Sequence, residues 1–112
     1  MTSIVALTHL THTFQTDVRE YTVPATSPVP GLFVYEIPDE VEPASAHRWS
    51  VGHHSGLLIA SAMYEDDAIS GAKKIADLAD WTQPVAELRE ALDPGQVYER
   101  IAWAGCENPA FT

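Results

Sequence analysis

Residues 48–82, RWSVGHHSGLLIASAMYEDDAISGAKKIADLADWT, restrict the fold more than any other part of the chain. They read as a β-hairpin that runs straight into an amphipathic helix. Strands are expected over 47–53 and 57–62, joined by His54-Ser55-Gly56, with Gly56 in the left-handed conformation that a three-residue connection needs. Trp49 and Val51 share one face of the first strand. The second strand, LLIASA, is apolar on both faces and belongs inside a sheet. From residue 65 the period lengthens: Ala68, Ala72, Ile75, Ala76 and Ala79 recur three and four apart, which predicts a helix over 65–79. Glu65, Asp66 and Asp67 fall in its first turn and Lys73 and Lys74 in its later half, the polarity a helix dipole favours.

The flanks complete the outline. THTFQTDVREYTV, over 11–23, is strand-prone, although its alternation is loose. Pro24, Pro28, Pro30, Pro38 and Pro43 then predict loop and extended chain, with one short strand over 32–37 and a core face of Phe33, Tyr35 and Ile37. DEVEPASA, over 39–46, reads as an exposed acidic loop. Beyond the long helix, Thr82 is the expected N-cap of a second helix over 83–92, with Pro84 in its first turn. Asp93 and Pro94 open a third helix that buries Val97, Ile101 and Ala104 and stops at Gly105, leaving a loose tail. The sum is one α+β domain over 1–112: a small antiparallel sheet of three or four strands with two or three helices packed on one face.

Charge removes whole classes of function. Sixteen acidic residues face six basic ones, a formal net charge of −10. Phosphate backbones and anionic membrane surfaces both demand a cationic footprint, so neither direct nucleic-acid binding nor membrane binding is expected. Cys106 is the only cysteine, so no internal disulfide forms, and it reads as a passive residue rather than a nucleophile. The first residues carry no basic n-region, and their apolar run, over 4–7, is too short for a signal peptide or a membrane span. The expected location is the cytoplasm.

No residue set spells out a catalytic centre. His47, His53 and His54 belong to the hairpin, and His9 and His12 form HLTH near the start. Adjacent strand residues point to opposite faces, so His53 and His54 do not form a ligand pair by adjacency, and there is neither HExxH nor a Cys-His set. GHHSG lacks the nucleophile-elbow spacing around Ser55, and the scattered glycines form no phosphate loop. Hence no catalytic residue, metal site or cofactor is assigned. Trp49, Trp81 and Trp103 remain as candidate anchors for a protein partner, since tryptophan is enriched at interface hot spots.

The order of a Trp-containing strand, a His-x-x-Gly turn (His53 to Gly56), an Ala-rich helix and the Asp80-Trp81-Thr82 stop resembles a group of small actinobacterial, phage and plasmid proteins. The resemblance covers about a third of the chain. Its motifs are structural, and the group brings no established activity with it. The expected role is therefore a non-enzymatic accessory module that binds another protein through Trp49, His53, His54, Trp81, Glu65, Asp66 and Asp67. One alternative is an acidic mimic of nucleic acid that occupies the cleft of a DNA- or RNA-binding protein. Another is a metal or small-molecule site built on His47, His53 and His54, and a weaker one is a DNA-binding sheet with Arg48, Lys73 and Lys74 as its basic spot. An exposed sheet face or edge would favour a homodimer.

Overall fold

A computed structural model describes residues 10–41 and 46–107. The expectations for the apolar run at 4–7, for His9, for part of the acidic loop and for the tail past Glu107 lie outside the described residues. Among the described residues, five antiparallel strands follow one another in a meander: β1 (Leu10–Gln15), β2 (Glu20–Val29), β3 (Leu32–Glu36), β4 (Trp49–His53) and β5 (Leu58–Ala62). Three helices follow: α1 (Glu65–Lys74), α2 (Val85–Ala91) and α3 (Pro94–Trp103). The class is α+β, and the sheet has five strands rather than three or four.

The additional strands come from the proline-rich segment. Pro24 lies where β2 pairs with β1, opposite Thr11. Between Thr26 and Val29 the pairing with β3 slips by one residue, and Pro28 sits in that bulge. A bulge is where a strand tolerates a residue with no N–H to give. It also flips the side-chain parity of β2. Tyr21, Val23 and Ala25 face one side of the sheet, whereas Val29 faces the other, beside Leu32 and Val34.

Both faces of the sheet are consequently covered. Leu32, Val34, Val51, Ala60 and Ala62 meet Ala68, Ala72 and Ile75 of α1, Leu88 of α2, and Val97 and Ile101 of α3. Ile59 joins them through a second bulge in the β4–β5 pairing. On the opposite face Phe14, Tyr21, Val23, Ala25 and Tyr35 form a separate aromatic cluster, with Phe33 and Ile37 packed on it. The main core face of β3 is thus Leu32 and Val34. The expected Phe33-Tyr35-Ile37 face packs under β1 and β2 instead, because those strands form a ribbon that gives the second face a cover of its own.

Local signals hold where local chemistry decides. The α3 N-terminus uses Asp93, whose side chain accepts from Gly95 N–H at 2.9 Å, and Gly105 (φ 85°) ends the helix. Gly56 (φ 99°) closes the hairpin as expected, its N–H donating to the His53 carbonyl. The long helix ends at Lys74, five residues early. The Trp81 indole N–H donates to the Ile75 carbonyl at 2.8 Å, so Trp81 folds back under the helix end and the chain turns there. Thr82 caps nothing: Pro84 holds the N-cap position of α2, and the Thr82 hydroxyl and N–H both donate to Asp80 Oδ1. Cys106 and Glu107 are anchored rather than loose, since Glu107 exchanges two backbone hydrogen bonds with Ser61 on the β5 edge. No described helix is long and apolar enough to cross a membrane.

Candidate functional site

The seven side chains expected to bind a partner separate to two ends of β4. Trp49 opens the strand, opposite Glu36 of β3 and Ala62 of β5. With only Met63 and Tyr64 between, α1 begins after Ala62 with Glu65, Asp66 and Asp67. This short connection brings Trp49 and Glu65 to one groove of about 570 Å³, lined also by Pro24, Thr26 and Val34 and bordered by Glu36 and Asp39. Arg48 pairs with Asp39 at 3.0 Å and donates to the Ile37 carbonyl at 2.8 Å. Glu36 and Glu65 have no ion-pair partner among the described residues. The Thr26 hydroxyl, in the wall of the groove, is buried and has no hydrogen-bond partner among the described residues.

Exposed aromatic surface gathers at the same end. Tyr64 is 63% exposed and Met63 47%. Trp103, the last residue of α3, is 80% exposed. It comes two residues before Gly105, which stands against the Asp67 carboxylate. The Cys106 thiol donates to the Asp67 carbonyl at 3.2 Å, tying the end of α3 to the start of α1. Burial and the Asp67 charge push that thiol up to about 11, so it stays protonated and a poor nucleophile. Asp66 and Asp67 themselves sit in the first turn of α1, where the helix dipole accounts for them.

Trp81 is corrected from partner anchor to core residue: only 1% exposed, it fills the space beneath α1 and presents nothing to a partner. Near it, at the far end of β4, the two hairpin histidines form a latch. His53 Nε2 lies 2.9 Å from the Gln83 carbonyl, and His54 Nε2 lies 3.0 Å from the Thr82 carbonyl and 3.1 Å from that of Gln83. Carbonyls only accept, so both Nε2 atoms carry hydrogen. His53 Nδ1 accepts from the Ser55 hydroxyl at 2.8 Å and from the Ser55 N–H at 3.2 Å, which holds the ring neutral. The rings lie 4.0 Å apart rather than on opposite faces, because His54 has already left the pleat for the turn. His47 is not with them; its Nε2 lies 3.7 Å from Glu107. Among the described residues no three His, Cys, Asp or Glu side chains converge as a metal site.

Three residues of the acidic end escaped the sequence reading. Glu36 lies within the strand expected over 32–37, on the face opposite Phe33, Tyr35 and Ile37. Met63 and Tyr64 passed as a hairpin-to-helix joint, although MYEDD, two large apolar side chains followed by three acids, was the available signal. His12 also stands apart: 3% exposed, stacked on Phe33 and tilted against Tyr35, it keeps Nε2 unpartnered among the described residues. Compared with models of protein families, with curated proteins and with solved structures, the chain matches none.

Proposed function

We propose that this chain is a non-enzymatic interaction module that docks onto another protein through its acidic, aromatic end. The exposure of Trp103 carries the reading. A large indole held in water at the end of a well-anchored helix contributes nothing to the core, and its burial by a partner is strongly favourable. Tyr64 and Met63 offer further apolar surface, and the neighbouring carboxylates supply an electrostatic bias for choosing partners. The resemblance of residues 48–82 to small actinobacterial and phage proteins supports an actinobacterial cytoplasm as the setting for this role.

The test is affinity capture from an actinobacterial lysate with elution by rising salt, wild type against Trp103→Ala. At 80% exposure the substitution leaves thermal stability within about 0.5 kcal/mol. The expected result is loss of a defined partner from the variant. Identical captured proteins from both would sink the reading, and capture of the same chain alone would turn it into homodimerisation. Nucleic-acid mimicry has less support. Glu40, Asp39 and Asp77 are each paired with an arginine, so the acidic surface is interrupted by cations rather than continuous like a phosphate backbone.

A further inference from the structure

The geometry points to an arginine-bearing extended segment of a partner protein as the occupant of the groove over Trp49. This inference rests on the interaction reading above and names the chemistry of the partner. The groove combines three features that together select one kind of side chain. Its border carries three carboxylates, of which Asp39 is paired with Arg48 while Glu36 and Glu65 have no ion-pair partner among the described residues. Its floor is apolar, and the half-buried indole of Trp49 lines it. Its wall includes Thr26, whose buried hydroxyl has no hydrogen-bond partner among the described residues.

A guanidinium fits this combination better than an ammonium. It is planar, it pairs with a carboxylate through two parallel N–H groups, and it stacks on an indole with little loss of hydration. An acidic or neutral segment would leave Glu36 and Glu65 facing an apolar partner without compensation. With the whole molecule at −10, the approach of a basic segment is also accelerated at long range. Exposed carboxylates alone would attract any cation; the indole in the same groove is what distinguishes arginine from lysine.

The experiment measures binding of two fluorescein-labelled peptides to the full chain at low salt, one alternating glycine with arginine and one alternating glycine with lysine. The arginine peptide is expected to bind saturably and several-fold tighter than the lysine peptide. Glu36→Gln with Glu65→Gln should weaken it about fivefold to tenfold, the effect of losing two ion pairs at a partly desolvated rim. Trp49→Leu should abolish the preference for arginine. Glu87→Gln with Glu90→Gln removes the same number of charges from exposed positions on α2 and should change affinity less than twofold. Equal weakening by both double variants would reduce the effect to net charge and overturn the inference. So would the absence of saturable binding. Trp103 does not line the groove, so a partner captured through Trp103 together with no peptide binding would overturn the arginine assignment alone and leave the interaction reading standing.

Discussion

His53 is held neutral from every side. Ser55 donates to Nδ1 from both its hydroxyl and its N–H, and Nε2–H donates to the Gln83 carbonyl. The charged groups nearest it are themselves histidines: His54 at a ring distance of 4.0 Å, and His12, which lies on the opposite face of the sheet, over Gly52. On the packed 80–84 loop the acid is Asp80, whose Oδ1 is taken by Thr82. Burial, then the charge of His54, lowers the His53 pKa; burial, then His53 and His54, lowers that of His12. A lowered histidine pKa means that the unfolded chain binds the proton more readily. The stabilisation is therefore complete above the ordinary histidine range near 6.5 and is lost as pH falls through the folded values. Melting temperature should drop between pH 7 and pH 5. His53→Gln keeps a donor for Gln83 but cannot titrate, so it should flatten that drop while costing about 1–3 kcal/mol at pH 7 through the lost Nδ1 acceptor. His12→Leu should also flatten it, without loss at pH 7, because it removes a buried nitrogen that has no partner among the described residues. An unchanged pH profile in both variants would show that other groups govern acid sensitivity.

The packing of α1 against the end of α3 turns on one contact. A Cβ added at Gly71 would lie 2.7 Å from Cys106 Sγ and no closer than 3.8 Å to anything else. Alanine improves helix propensity over glycine by about 1 kcal/mol, yet here it must displace a buried thiol from its hydrogen bond to the Asp67 carbonyl. Gly71→Ala should therefore destabilise the wild type, but stabilise a Cys106→Ala background in which Sγ is absent. Urea titration of the four proteins in the cycle should give a coupling of about 1 kcal/mol or more; additive effects would remove the steric explanation. The legibility of elements follows the same division between local and tertiary causes. The boundaries of α3 were readable because Asp93, Pro94 and Gly105 act within one turn of their own chain. The early end of α1 was not, because it depends on Trp81 reaching back to the Ile75 carbonyl. Prolines masked β2 because only its pairing on both sides reveals a bulge at Pro28, and the parity of residues 32–37 pointed to the wrong principal core face because β1 and β2 cover Phe33, Tyr35 and Ile37 with an aromatic cluster of their own.

At the scale of the molecule, the sequence indicated acidity and spare tryptophans but not their arrangement. Trp49 and Glu65 meet because only Met63 and Tyr64 separate β5 from α1, whereas Trp81 and the histidine pair belong to the opposite end of β4. Charge is a property of the whole that no element carries. The chain carries sixteen acids and six bases, and its described residues span 35 × 31 × 25 Å along the principal axes. At about 20 mM salt the screening length is roughly 20 Å, so most of these charges act on one another; at about 0.3 M it falls to roughly 6 Å. The ion pairs of Arg19, Arg48 and Arg100 are solvent-screened surface contacts, so the excess of sixteen acids over six bases leaves net repulsion across the body. Added salt should therefore raise the melting temperature at pH 7. It should also sharpen the acid transition. At low salt the negative field of the folded protein favours protonated histidine and opposes the penalty for charging His53 and His12. Screening removes that help, so melting temperature should fall more steeply from pH 7 to pH 5 at 0.3 M than at 20 mM. Calorimetry at both salt concentrations decides the point. A shallower fall at high salt would mean that the histidines answer to local partners more than to the field of the whole, and that the acidic surface governs which partners approach but not the stability of the fold.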